Sequence, residues 1–88
     1  MTKQFKLGEH AIGGIIKVDI TGQTIRIQAL DYDTKKPVAF FGGVVLASDR
    51  NAHDKLDDLL KDMTTSYYSG KVLDWIKSKI ALSREYEW

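Results

Sequence analysis

Three aspartates spaced by four residues are the first candidates for chemistry in this chain. Asp54, Asp58 and Asp62 would share one face of a helix at this spacing. Carboxylate oxygens arranged in this way could bind a divalent cation. Lys55 and Lys61 interrupt the acidic run, as they would on an ordinary solvated helix face. We therefore expect no metal site here, and an acidic contact surface for a basic partner stays open.

The other polar residues form no catalytic motif. His10 and His53 belong to unrelated segments, and neither accompanies a nucleophile motif or a metal-binding His-Glu-x-x-His motif. The chain contains no cysteine, which excludes disulfides and thiolate zinc sites. We therefore expect a protein that is not an enzyme and that uses no cofactor.

A pair of glycines, Gly42 and Gly43, lies at the centre of the most apolar stretch, VAFFGGVVLA. A phosphate-binding loop needs glycines directly before a helix, so that free amides face the anion. Here β-branched residues follow, which favour an extended chain, and we reject a phosphate loop. A hairpin turn and a bend within one strand both stay open. The bend is favoured because residues 11–16, AIGGII, repeat the same pattern in an extended context.

The first half of the chain has the period of two that is typical of strands. Apolar and polar residues alternate over residues 16–20 and 25–29, on either side of Gly22, which predicts a hairpin. A weaker strand is predicted over residues 5–12. Residues 31–37 are predicted to form a turn, with Pro37 opening another strand.

The second half changes to the period of 3.6 that is typical of helices. A first helix is predicted from Asn51, with Ser48 or Asn51 as its N-cap. A second helix is predicted from about Lys71 to Leu82, after an interruption at residues 64–70.

Strands followed by helices predict an α+β fold. We expect a small antiparallel sheet of three to four strands, followed by two C-terminal helices packed on one face of the sheet. Residues 1–88 are assigned to a single domain, with a strand region at 1–47, a helical region at 48–82 and a tail at 83–88. The length of 88 residues is typical of one domain.

The overall charge and hydropathy bear on whether the protein binds nucleic acid or a membrane. The net charge of +1 provides no basic field that would indicate nucleic acid. The start of the chain has no apolar signal core, and no apolar run approaches the length needed to span a membrane. We therefore expect a cytoplasmic protein that neither spans nor binds a membrane.

Aromatic residues outside the periodic segments are candidates for contact with a protein partner, because such residues often anchor interfaces. They could equally fold back over a core that is too small to close itself. A homodimer also stays open. The candidates for partner binding, including the acidic face, are Tyr67, Tyr68, Tyr86, Trp88, Asp54, Asp58 and Asp62.

From Gly14 to Met63, the chain resembles the coactivator and Whirly-like single-stranded-DNA-binding domains. The resemblance rests on the order of strands and helix, on basic residues of the outer strand faces, and on the turn DYDTKKP. It implies that the outer face of the sheet binds a single strand through basic and aromatic side chains. The residues this would involve are Lys17, Arg26, Tyr32, Lys35 and Lys36.

The chain also resembles, as a type, the small phage-encoded inhibitors, which include anti-CRISPR and other host-takeover proteins. The resemblance lies in its small size, its lack of cysteine and catalytic motifs, and its mixed charge. It implies a non-enzymatic protein-binding module that inhibits a nucleic-acid-handling host complex, such as a defence complex. This is our first hypothesis for function, and a single-stranded nucleic-acid-binding domain is the alternative.

Overall fold

Four antiparallel strands and two helices, in that order, make up the computed structural model, which describes residues 1–82. This order and the single antiparallel sheet confirm the predicted α+β fold. The elements are β1 (Thr2–Lys6), a short 3₁₀ helix (Gly8–His10), β2 (Gly14–Thr21), β3 (Thr24–Asp31), β4 (Pro37–Leu46), α1 (Ala52–Met63) and α2 (Ser66–Lys79).

The sheet is a meander in which each strand pairs with the next one along the chain, in the order β1-β2-β3-β4. The predicted hairpin joins β2 to β3, where Thr21 lies opposite Thr24 and Gly22 takes a φ of 58°. Glycine is favoured there because other residues pay a steric cost at positive φ. As predicted, Pro37 begins the last strand.

The core lies between one face of the sheet and the two helices. Alternation along each strand sends every second side chain to this face, and the helices cover it with apolar residues of period 3.6. Burial of each large aliphatic side chain contributes about 1.5–3 kcal/mol to folding. The buried members of this core are Ile16, Val18, Ile20, Ile25, Ile27, Ala29, Val45, Ala47, Ala52, Leu56, Leu60, Met63, Val72, Leu73 and Ile76.

The N-terminal strand differs from its prediction. It occupies Thr2–Lys6, and Gly8–His10 form a turn of 3₁₀ helix, so the strand predicted over residues 5–12 is wrong in its bounds. Gly8 has a φ of 59°, which ends the extended chain. Phe5 holds β1 to α2 by an edge-to-face contact with Trp75, with ring centroids 5.9 Å apart.

The start of α1 is stabilised differently from the prediction. Asn51 precedes the helix with a φ of 64°, and its side chain makes no capping hydrogen bond. Ser48 does not cap the helix either. Instead, the backbone carbonyl of Asp49 accepts a hydrogen bond from the Ala52 N–H, at 3.0 Å. The Asp49 carboxylate accepts another from the Leu46 N–H, at 3.3 Å, which ties the turn to the end of β4.

The second helix begins at Ser66 rather than at Lys71, and it ends at Lys79 rather than at Leu82. The reason for the early start is a cap: the Thr65 hydroxyl accepts a hydrogen bond from the Tyr68 N–H, at 3.4 Å. The predicted interruption at residues 64–70 is therefore limited to the residues directly before the helix.

Strand β4 continues through Gly42 and Gly43, as the favoured bend predicted. Its pairing with β3 shifts at a bulge: Gln28 lies opposite Gly42, but Leu30 lies opposite Pro37. The similar pattern at residues 11–16 has another structure, since its glycines form the turn into β2, with φ of 74° and 105°. The expectation that the two glycine pairs mark similar bends is therefore wrong.

Neither helix, nor any other helical segment within residues 1–82, is long and apolar enough to cross a membrane.

Candidate protein-interaction site

Three aromatic rings meet on the surface at the beginning of α2. The Tyr67 and Tyr68 rings are edge-to-face with centroids 5.0 Å apart, and the Tyr68 ring packs on the His10 imidazole at 5.1 Å. The Lys71 ammonium lies 5.0 Å from the centre of the Tyr67 ring. Tyr67 is 65% exposed, whereas Tyr68 is half-buried. We call Tyr67, Tyr68 and His10 the aromatic patch.

The position of His10 is set by contacts between the 3₁₀ helix and the junction of α1 and α2. The Thr64 hydroxyl donates a hydrogen bond to the His10 carbonyl oxygen. Two residues further, the Ile12 N–H donates to the Met63 carbonyl oxygen at 2.8 Å. Ala11 and Thr64 form an isolated antiparallel bridge. These bonds hold in place a residue that lies far from Tyr68 in sequence.

A shallow depression of about 360 Å³ lies beside the patch, where the same segments meet. Its lining combines apolar, acidic and hydroxyl groups, which makes it suitable for contact with a mixed protein surface. The lining includes Glu9, His10, Ile12, Lys61, Asp62 and Thr64. Lys61 is engaged by Asp57, at 2.8 Å between Nζ and Oδ2, and this hydrogen bond raises the pKa of Lys61.

The acidic face lies on the exposed side of α1, as its spacing predicted. Asp54, Asp58 and Asp62 are all exposed, and Asp62 borders the depression. Asp54 lies 3.5 Å from the neighbouring His53 imidazole. Among residues 1–82, no three His, Cys, Asp or Glu side chains converge as the ligands of a metal ion would. The structure thus places one of these aspartates near the aromatic patch.

The sequence predicted that the two tyrosines of the patch lie in a turn between the helices, and this is wrong. Tyr67 and Tyr68 occupy the first turn of α2, because the Thr65 cap starts the helix before them. The other aromatic candidates, Tyr86 and Trp88, lie outside the described residues.

The face of the sheet opposite the helices carries the basic residues of the nucleic-acid hypothesis. Lys17 on β2 and Arg26 on β3 lie on this open face, since Val18 and Ile27 beside them point into the core. Asp19 lies directly opposite Arg26 and accepts a hydrogen bond from the Thr2 hydroxyl at 2.9 Å. A carboxylate therefore lies within the basic surface.

The remaining nucleic-acid candidates lie in the connection between β3 and β4. The Lys35 ammonium is 4.7 Å from the centre of the Tyr32 ring, which is 48% exposed. Lys36 is the residue before β4. The connection is ordered by Asp31, whose carboxylate accepts hydrogen bonds from the N–H groups of Thr34 and Asp33, at 3.0 and 2.9 Å. These bonds lower the pKa of Asp31.

The sequence did not lead us to predict one exposed apolar region. At the bulge of β4, Phe40 is fully exposed and has a φ of 71°. Val44 and Leu46, further along the same strand, are 54% and 43% exposed. The adjacent pair Phe40 and Phe41 was an available signal, since neighbouring residues of a strand point to opposite faces and the helices cover only one face.

Phe40, Val44 and Arg26 also line a second shallow depression, of about 330 Å³, along the outer strand.

No protein-family model matches this chain, and neither the curated proteins nor the solved structures show a significant similarity to it.

Proposed function

We propose that this protein is a non-enzymatic protein-binding module that contacts its partner through the aromatic patch. The observation that carries the proposal is the exposed Tyr67 ring, which lies against Tyr68 and under the Lys71 ammonium. Tyrosine is enriched among the residues that dominate binding energy, because it combines a large apolar area with a polar end.

The contacts around the patch also reduce the cost of binding. Immobilising a flexible side chain at an interface costs about 0.5–1.5 kcal/mol. Tyr68 is already packed against the His10 imidazole, and the backbone of His10 is held by the bond between its carbonyl oxygen and the Thr64 hydroxyl. Part of this ordering cost is thus met during folding rather than during binding.

The charges beside the patch favour a partner of mixed character. The neighbouring depression offers Asp62 and Glu9 to basic groups, and Ile12 to apolar ones. The resemblance to small phage-encoded inhibitors adds the expectation that the partner belongs to a nucleic-acid-handling complex of a host. In that case, the module would inhibit the complex by occupying one of its contact surfaces.

A capture experiment tests the proposal. The tagged protein is incubated with cell lysate, with and without nuclease, beside the variants Tyr67→Ala and Tyr32→Ala. We expect a partner protein to be retained by the wild type regardless of nuclease, and to be lost with Tyr67→Ala. Tyr32→Ala is the matched control, because it removes another exposed tyrosine that is not part of the aromatic patch. Equal capture by all three proteins would contradict the role of the patch.

A single-stranded nucleic-acid-binding function is the second candidate, because the basic face of the sheet is left uncovered by the helices. It predicts that Lys17→Ala and Arg26→Ala each weaken binding to an oligonucleotide, whereas Lys77→Ala on α2 does not. Affinity should fall with salt by about 0.7 in log-log slope for each phosphate contact. With Asp19 opposite Arg26, we expect weak binding and no difference among the three variants. Tight binding that is lost only in the two sheet variants would favour nucleic acid.

A further inference from the structure

We propose that two copies of this chain form a dimer by pairing their β4 strands across a two-fold axis, so that the two sheets become one. The dimer goes beyond the proposed function, because β4 contributes no residue to the aromatic patch.

Between its bulge and Leu46, the outer edge of β4 pairs with no other strand of residues 1–82 and carries no charged side chain that would prevent pairing. Free edges are usually short, charged or covered, because their unpaired backbone groups bind other strands. β4 is the longest strand of the sheet, and residues 37–47 contain no charged side chain. Phe40, Val44 and Leu46 expose apolar area along it. A neutral strand also meets no like charge when it pairs with its own copy.

The backbone groups of this edge that pair with no strand of residues 1–82 can be identified from the alternation of the strand. The Ala47 N–H donates to the Gln23 carbonyl oxygen, towards the inside of the sheet. The backbone N–H and carbonyl groups of Leu46 therefore point to the outer edge, and both are bonded to Asp49. The Leu46 N–H donates to the Asp49 carboxylate, and the Leu46 carbonyl oxygen accepts from the Asp49 N–H. By the same alternation, Val44 and Gly42 direct their N–H and carbonyl groups to the free edge.

These two residues are complementary to each other in an antiparallel pair. A two-fold axis at Gly43 places Gly42 opposite Val44 of the partner subunit, and Val44 opposite Gly42 of the partner subunit. Each of these pairs can form two N–H···O bonds. The same register places Phe40 opposite Leu46 of the partner subunit, so that exposed apolar side chains cover each other.

The other edge of the sheet explains why the assembly would stop at two copies. β1 has five residues, and two of them, Lys3 and Lys6, are lysines. Lysines on a short edge strand discourage pairing. With only one edge available, pairing between two β4 strands closes the assembly, whereas two available edges would extend it into a fibre.

A second copy of the chain fits this edge better than another ligand does. Pairing of a strand with itself about a two-fold axis needs no second matching surface. Residues 37–47 carry no charged side chain, so the strand itself offers no charge to an acidic or basic partner.

Sedimentation equilibrium tests the proposal over a thousandfold range of concentration that begins in the low micromolar range. We expect the wild type to pass from monomer to dimer and to form nothing larger. Val44→Glu should weaken dimerisation by about tenfold or more, because it places two carboxylates diagonally across the axis. Within the subunit the same carboxylate lies opposite Arg26, so folding is maintained. Val44→Thr is the matched control, since it keeps a β-branched side chain, and it should still form the dimer.

Amide hydrogen exchange provides an independent readout. The Gly42 and Val44 amides should exchange more slowly as the concentration rises. The Gly43 and Val45 amides, which point to β3, should be protected at every concentration. A wild type that remains monomeric, a dimer that Val44→Glu leaves intact, or a dimer in which the exchange of Gly42 and Val44 does not change would each overturn the proposal.

The two proposals can fail separately. A monomeric wild type that still captures a partner through Tyr67 would remove the dimer and leave the proposed function. A dimer that Val44→Glu disrupts, together with equal capture by wild type and Tyr67→Ala, would support the dimer and contradict the proposed role of the aromatic patch.

Discussion

Gly42 is subject to two constraints that Gly43 is not. Its φ of 152° is rarely adopted by residues with a side chain, and a Cβ there would lie 2.7 Å from the carbonyl oxygen of Ile27. The backbone of β3 cannot move away without losing its pairing. A Cβ at Gly43 would instead meet the Leu59 methyl groups, at 3.0 and 3.1 Å, and a side chain can rotate.

Substitution of the two glycines should therefore have unequal effects. We expect Gly42→Ala to lower the free energy of unfolding by more than about 1 kcal/mol. Gly43→Ala should cost less, because the side chain of Leu59 can shift. Urea denaturation of both variants measures the difference. If both variants lose the same stability, the distinction between backbone and side-chain contact is wrong.

At the scale of elements, the connection between β3 and β4 depends on one ionised side chain. The carboxylate of Asp31 accepts hydrogen bonds from the N–H groups of Thr34 and Asp33, and this lowers its pKa from the usual value of 3.8. A carboxyl group whose pKa is lower in the folded state stabilises the fold when it is ionised. That stabilisation is complete well above pH 3.8 and is lost as the pH falls through the lower pKa of the folded state.

The variant Asp31→Ala should accordingly melt at a lower temperature than the wild type near neutral pH. The difference should shrink as the pH falls below 3.8, because protonation removes the same contribution from the wild type. Thermal melts of both proteins across this range provide the measurement. Asp33→Ala is the control, since only its backbone N–H takes part in the turn. A difference that does not change with pH would mean that ionisation of Asp31 has no role.

At the scale of the whole molecule, the two faces of the sheet differ from each other, and so do its two edges. The helices cover one face, the opposite face carries Lys17 and Arg26, β1 is a short basic edge, and β4 is a long edge without charge. In a chain of 88 residues, a single sheet with two helices leaves part of its apolar surface uncovered. Pairing of β4 would cover some of this surface, and the melting temperature should then rise with protein concentration.

Hydrophobic periodicity in the sequence was sufficient to predict the class of fold. The hairpin around Gly22, the strand beginning at Pro37 and the first helix follow from local patterns, because alternation and helical period select one face of each element for the core. The open position of Lys17 and Arg26 follows from the same rule. These features depend on residues close together in the chain, which is why the sequence alone determined them.

The tertiary structure decided the features that depend on contacts between distant segments. His10 meets Tyr68 only because the 3₁₀ helix is bonded to the junction of the two helices. Which of the neighbouring residues Phe40 and Phe41 is exposed depends on the pairing of β4 with β3, which shifts at the bulge, and no local pattern specifies that shift. An aromatic patch and an apolar edge therefore became visible once the strands were paired, since pairing sets which side chains are covered and which are left to solvent.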